Sequence, residues 1–358
     1  RRALHPTASR VATKRQPHWP TVAAAFAARI SHADLHPAAM LRAREEARRE
    51  QRKGGRPARW ALAFSGGADS LALLLLFWAE GPGRWGRDFV VLHFNHRLRG
   101  RAADADEKFC GQVCTALGVT FVSGRWRAAR KGASEAEARA ARFEFIRREM
   151  SRRKMRLLWL AHQQDDIAES MLMRLARGSG PGGLAAPRPV QAMGEGRLHL
   201  RPLLTLKKVE LVAALKKAGA RWCEDASNAD DDHFRNRIRA RVLPAWAKAA
   251  GRDALAGAAL SRERLDEDDA ALEAWLDELK PLDRRGRLEL ARLAGKPRAL
   301  VRRALHRWLL AVRPETDLSR QGFNQLLALV QRGQDTRFSL GAKSFAVVSR
   351  SGLVLQKS

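Results

Sequence analysis

From Trp60 to about residue 176 the chain alternates short apolar runs with longer amphipathic ones. The runs "WALAF" (60–64), "FVVLHF" (89–94), "VTFVSG" (119–124) and "LLWLAH" (157–162) read as strands. The stretch after Ser70 and those around 104–117, 134–153 and 166–176 carry helical spacing. Strand and helix taking turns predict a parallel sheet covered on both faces. Such a sheet binds ligands at the carboxyl ends of its strands. The polar residues that end each apolar run are therefore the first functional candidates: Ser65, His93 to Asn95, and His162 to Asp166.

Glycines and prolines from about 178 to 205 predict an irregular loop and then one more strand, in "HLRPLL". A helix over 206–218 and a polar segment ending near Trp246 complete this part. Beyond about 250 the Ala, Leu and Arg spacing predicts a helical appendage. The last stretch alternates around Gly341 and Gly352 as a pair of small hairpins. The expected fold class is α/β: a parallel, Rossmann-like domain, a helical C-terminal appendage and a small terminal β element. The expected divisions are 1–56, a basic extension partly helical or disordered, then 57–248, 249–333 and 334–358.

Composition adds a partner. Lys and Arg number 67 against 38 Asp and Glu, a formal charge of +29, and a soluble chain this basic suits a polyanion such as nucleic acid. A coding bias would explain Arg in place of Lys, but not the excess of bases over acids. Three cysteines, Cys110, Cys114 and Cys223, cannot make a disulfide framework in a chain of this size. The run Leu71–Trp78 falls short of the roughly 20 residues that span a bilayer. A cytoplasmic setting with no membrane partner is expected.

The break in the first apolar run, Ser65-Gly66-Gly67-Ala68-Asp69-Ser70, lies where strand turns into helix. Adjacent glycines allow a tight bend, and a helix N-terminus with two hydroxyls can cradle phosphate. A plain turn with Asp69 or Ser70 as N-cap is the alternative, although it leaves both serines and both glycines unexplained. The Gly-Lys-Ser/Thr of a Walker loop is absent. At the second strand end, "HFNHRLRG" sets two imidazoles, an amide and two guanidiniums at the same sheet edge. In the third helix, Glu135 and Arg139 stand at i and i+4, sufficient as a helix-stabilising pair. In "AHQQDDIAES", His162 ends a strand while Asp166 and Glu169 share one face of the next helix. Capping could account for one of these acids. The cluster could also hold Mg²⁺, accept a proton or bind an ammonium group.

Ser-Gly-Gly-x-Asp-Ser after a strand resembles the pyrophosphate-binding loop of the N-type ATP pyrophosphatases. Taken in order with "HFNHRLR", "SEAEARAARF", "AHQQDDIAES", "RGSGPGGL", "RPLL" and "WCEDASNADDDHFRNRIRARVLP", it resembles the tRNA(Ile)-lysidine synthetase family over Trp60 to about Trp246. In the last segment Asp225, Ser227, Asn228, Arg235, Asn236 and Arg239 match that family's D-x-S-N…R-N-x-x-R signature. Gln163 stands where the family commonly has a second His, and Ile167 where it commonly has Gln.

The resemblance implies ATP-dependent ligation of free L-lysine to C2 of the wobble cytidine of a tRNA(Ile) with CAU anticodon. The route is an adenylated cytidine, and AMP and pyrophosphate are released. It implies a nucleotide site at Ser65, Gly66, Gly67, Ala68, Asp69 and Ser70 with His93, Asn95 and Arg139, and Mg²⁺ held with the help of Asp69. His162, Asp166 and Glu169 would line the cytidine and lysine site, with Arg201, Arg235 and Asn236 at the reaction edge. It also implies a catalytic domain at 57–248, a tRNA-binding helical domain at 249–333, and a monomer or homodimer. The alternatives are a tRNA thiolation enzyme of the same fold, which needs reactive cysteines, and a non-catalytic basic RNA-binding relative. An amidotransferase synthetase would need a separate glutaminase.

Overall fold

The computed structural model describes residues 17–52, 60–84, 89–129, 132–224, 234–312, 318–341 and 343–357. The chain divides into two compact units, Arg1–Arg262 and Glu263–Ser358.

The first unit opens with helices α1 (Trp19–Ala27) and α2 (Pro37–Arg52), followed by β1 (Trp60–Ala63), α3 (Ala68–Arg84), β2 (Phe89–Asn95), α4 (Arg101–Leu117), β3 (Thr120–Arg125), α5 (Glu135–Arg152), β4 (Leu157–Trp159) and α6 (Gln164–Leu175). Then come the short α7 (Pro181–Leu184), β5 (Val190–Ala192), β6 (Leu198–Leu200), α8 (Lys208–Lys217), α9 (Phe234–Arg237) and α10 (Leu243–Ala250). Helix α11 (Ala254–Leu279) runs across the boundary between the units.

The strand order is β3-β2-β1-β4-β6-β5, every neighbouring pair parallel except β5 with β6. Trp60 of β1 lies opposite Phe89 of β2 on one side and Leu157 of β4 on the other. The side chains of Trp60, Leu62 and Val91 face one apolar layer, with Leu71 and Leu74 of α3 and Val113 of α4. Those of Ala61, Val90, Leu92 and Leu158 face another, with Phe145, Ile146 and Met150 of α5. Burial on both faces explains why these strands read as continuous apolar runs rather than alternating ones. Strand order reverses at β1, because β2 lies to one side and β4 to the other. The crevice beyond the ends of β1 and β4 is thus the topological switch point, where open α/β sheets bind ligands.

Residues 17–52 are not set apart from this core. Trp19, Val22, Ala23 and Phe26 recur at helical spacing and join the apolar layer of α3 and α4, with the Trp19 ring edge-on to Phe109 at 5.9 Å. The expected extension is, over these residues, part of the first unit, because its apolar stripe has a partner in α3 and α4. The expected boundary at 248 also lies inside that unit, which continues through Arg262.

The second unit contains the rest of α11, then α12 (Arg298–Val312), α13 (Arg320–Arg332) and a sheet of β7 (Thr336–Gly341), β8 (Ser344–Ser349) and β9 (Gly352–Lys357). The sheet is antiparallel, in the order β7-β8-β9. Leu300, Leu305 and Trp308 of α12 and Leu326 of α13 pack with Leu340, Ala346, Val348 and Leu353 of the strands. Arg303 bridges Asp269 and Glu273 on the α11 side. No helix among the described residues is long and apolar enough to cross a membrane.

Candidate functional site

At the end of β1 the chain turns at Ser65 and enters α3 at Ala68. Gly66 takes φ +90°, a conformation that L side chains rarely adopt, and a Cβ there would come within 3.0 Å of both the Cys110 and the Cys223 sulfurs. The Gly66 carbonyl accepts from the Cys223 N–H at 2.9 Å, tying the turn to the segment after α8. The serines knit the loop shut. Ser65 N–H donates to Ser70 Oγ at 3.2 Å, the two hydroxyls meet at 3.1 Å, and Ser70 Oγ–H donates to the Gly67 carbonyl at 3.0 Å. Both serines therefore shape the loop, and the first N–H groups of α3 are the donors that an anion at this helix start would meet.

Asp69 stands in the first turn of α3, and its buried Oδ1 has no hydrogen-bond partner among the described residues. Burial pushes its carboxyl up to about 6, against the pull of Lys208 and with further push from Asp166. A carboxylate oxygen held dry and unpaired, near other acids, is suited to a cation. Among the described residues no three His, Cys, Asp or Glu side chains gather closely enough to cage a metal.

The second strand end divides the candidates. His93 is buried; its Nδ1 lies 2.9 Å from the Phe64 carbonyl, and its Nε2 has no partner among the described residues. Burial lowers its pKa, so the ring is neutral, with Nδ1–H donating and Nε2 an open acceptor. Asn95 is different. Its amide donates to Asp104 Oδ1 at 2.9 Å and to Glu107 Oε2 at 2.8 Å, and its Oδ1 accepts the Arg97 N–H at 2.8 Å. With donors and acceptor engaged and the residue 2% exposed, Asn95 holds the loop in place.

At the end of β4, Gln163 is the N-cap of α6, and Asp166 completes a capping box by accepting the Gln163 N–H at 2.9 Å. Capping occupies only Asp166 Oδ2, while Oδ1 pairs with Arg235 Nη2. Asp165 accepts the backbone N–H of Lys208 at 3.0 Å and so joins the starts of α6 and α8. Glu169, one turn on, is fully buried. It accepts from Arg235 Nε at 2.7 Å, Arg239 Nε at 2.6 Å and Arg239 Nη2 at 3.0 Å. The resemblance places Glu169 at the cytidine and lysine site; in the structure it is buried and its two oxygens hold Arg235 and Arg239.

His162 is half-buried and its Nδ1 accepts from Arg201 Nε at 3.2 Å. Burial, and next the Arg201 charge, hold its pKa well below the usual histidine range. The imidazole is therefore neutral with its proton on Nε2, because a guanidinium can only donate. Arg201, at the end of β6, is fixed by the Arg188 carbonyl and Gln191 Oε1, both at 2.8 Å. Burial lowers Arg201 to about 10, and it lowers Arg142 to about 10 as well. Arg139 lies over the Phe143 ring at 4.9 Å, and Phe143 stacks on His199 at 5.5 Å. Asn236 lies in α9 beside Arg235. Asp225, Ser227 and Asn228 fall outside the described residues.

Sequence reasoning did not single out Lys208, Gln191 or His199. Lys208 left one signal, a cation at the first position of a helix, against the dipole. The cysteines are inert in this setting. Cys110 and Cys114 are fully buried, and burial pushes the thiols of Cys114 and Cys223 up to about 12 and that of Cys110 further.

A glycine turn at a helix start, an acid with an unpaired oxygen among the described residues and an acid–arginine cluster thus meet at the switch point of an α/β sheet. Residues 42–246 match the family described as the PP-loop domain, and the chain belongs to that family. Among curated proteins it is 35% identical over 285 residues to a tRNA(Ile)-lysidine synthase of Geobacter sulfurreducens, covering 76% of this chain and 58% of that one. It is 36% identical over 296 residues to a tRNA(Ile)-lysidine synthase of Xanthomonas campestris pv. campestris, covering 79% and 65%. The chain thus spans about three fifths of the length of these relatives. Among solved structures, the U34-tRNA thiolase NcsA from Methanococcus maripaludis matches with a TM-score of 0.48 at 15% identity, over 63% of this chain and 79% of that one.

Proposed function

We propose that this chain is an ATP-dependent carbon–nitrogen ligase that joins free lysine to C2 of the wobble cytidine of a tRNA(Ile) with CAU anticodon. The observation that carries the reading is the placement of two chemistries at one switch point: the Ser65–Ser70 cradle after β1 and the His162, Asp166, Arg201, Arg235 group around β4, β6 and α9. The names of the curated relatives support the same activity.

In this reading the N-terminus of α3 holds the pyrophosphate of ATP. Asp69 holds Mg²⁺, which when bound offsets phosphate charge. The C2 carbonyl oxygen of cytidine attacks the α-phosphate, pyrophosphate leaves, and the adenylated base is then open at C2 to an amine. Arg235, aligned by Asp166 and Glu169, presents fixed positive charge where negative charge builds during both steps. His162 serves as an N–H donor, because Arg201 occupies its lone pair. Lysine reacts as the free amine after its ammonium proton passes to solvent, and AMP leaves as the C2–N bond forms. The basic charge of the chain suits tRNA phosphates, which supply affinity but little sequence reading. The setting in this reading is the cytoplasm.

The test is incorporation of radiolabelled lysine into unmodified tRNA(Ile) in the presence of ATP and Mg²⁺. Label that depends on ATP, and falls by at least about 100-fold in Arg235→Ala, supports the proposal. The absence of label beside an active control enzyme overturns it. The buried thiols of Cys110 and Cys114, and the raised pKa of the half-buried Cys223, speak against base thiolation.

A further inference from the structure

The β7–β9 sheet has one face on the apolar core of the second unit and a second face turned to solvent. Alternation along the paired strands puts Arg337 and Ser339 of β7, Phe345 and Val347 of β8, and Val354 and Gln356 of β9 on that outer face. The Arg337 guanidinium lies over the Phe345 ring, 3.7 Å from its centroid. Val347 sits between Arg337 and Val354 in register, and Val354 is 39% exposed. Ser339 and Gln356, on either side of Phe345, are exposed as well. The rim is basic: Lys343, Arg350 and Lys357 are exposed, and Asp335 is the one acid between residues 334 and 357.

We propose that this outer face binds an unpaired segment of RNA, with a base stacked against the Phe345–Arg337 pair. The proposal rests on the tRNA reading above for the source of that RNA, and the chemistry of the face supplies the rest. An aromatic ring and a guanidinium plane give a base a stacking surface that is tolerant of sequence. The valines extend the apolar platform, and Ser339 and Gln356 offer hydrogen-bonding groups to base edges or a 2′-hydroxyl. Net positive charge around an apolar centre suits a phosphate backbone and disfavours a basic partner, including a second copy of this chain. A fully paired stem would present no free base to the ring, so the occupant is a loop or a single-stranded end.

The test uses the full chain, with fluorescence anisotropy of an unmodified tRNA(Ile) transcript, a short single-stranded RNA and a blunt RNA duplex. Phe345→Ala and, separately, Val354→Glu should each weaken tRNA and single-strand binding about tenfold, the order of one lost base stack, and leave duplex binding unchanged. In the lysine-transfer assay KM for tRNA should rise and kcat at saturating tRNA should hold. If the wild-type protein transfers no lysine, the reaction proposal fails while the binding comparison still reads this face. Wild-type affinity in both variants, with far-UV circular dichroism unchanged, overturns the inference. So does sedimentation showing that the variants turn a dimer into a monomer at unchanged RNA affinity. Should Phe345→Ala fail to fold, crosslinking of 4-thiouridine-substituted tRNA to wild-type protein decides. Crosslinks in β8 or β9 support the face, and crosslinks confined to other segments contradict it.

Discussion

Replacing Asp69 by Asn should make the protein more stable and inactive at once. The Asp69 carboxyl is raised from 3.8 to about 6, chiefly by burial. Keeping it ionised at pH 8 therefore costs the folded state about 3 kcal/mol relative to the unfolded chain. The stability that a protonated Asp69 allows is fully present below pH 4 and is lost as pH rises through about 6. Asn keeps the shape and cannot ionise, so Asp69→Asn should gain about 1–3 kcal/mol at pH 8 and nothing below pH 4. The gain stays within that figure because the amide oxygen inherits the unpartnered position of Oδ1. Urea denaturation of both proteins from pH 4 to 8, without nucleotide or metal, measures it. With Mg²⁺ and ATP the order should reverse. The wild-type protein gains about 4.1 kcal/mol at a ligand concentration 1,000 times its Kd, and the variant gains little. Equal or lower stability of Asp69→Asn at pH 8 would refute the idea that this oxygen is held dry and unpaired for a cation.

Other substitutions test other parts of the site. Gly66→Ala forces a Cβ against the Cys110 and Cys223 sulfurs at φ +90°; it should cost about 1–3 kcal/mol by thermal unfolding and remove ATP-dependent activity. Glu169→Gln leaves Arg235 and Arg239 facing an amide. A drop of about 2–4 kcal/mol in urea stability is expected, the lower end because both guanidiniums are partly hydrated, together with a loss in kcat larger than any change in lysine KM. Burial lowers His36 and His199 to about 4. These rings stabilise the fold fully above pH 6.5, and that contribution is lost as pH falls through about 4. His199→Gln should flatten the decline seen in urea midpoints over that range, by an amount on the order of 3 kcal/mol at most.

The sheet and the loop were legible because their signals are local. Continuous apolar runs announce strands buried on both faces, and Ser65–Ser70 interrupts one of them with residues that only a turn requires. The inner ring of the site was less legible, because it depends on partners distant in sequence. Nothing near Asn95 tells that Asp104 and Glu107 will take both amide hydrogens. Nothing near Glu169 tells that Arg235 and Arg239, on another helix, will cover it. Helical spacing puts Asp166 and Glu169 on one face correctly, but spacing is blind to what lies over that face. The same blindness set residues 17–52 apart as an extension. Trp19, Val22 and Phe26 form an apolar stripe, and only the packing shows that α3 and α4 receive it.

The most direct test of the account is nucleoside analysis by mass spectrometry of the wobble position in an unmodified tRNA(Ile) after incubation with this chain, ATP, Mg²⁺ and lysine. The account predicts that cytidine is replaced by its lysine adduct, with one AMP and one pyrophosphate released per adduct, and that omitting ATP or lysine prevents it. A wobble cytidine left unchanged, while a control enzyme converts the same tRNA, would contradict it.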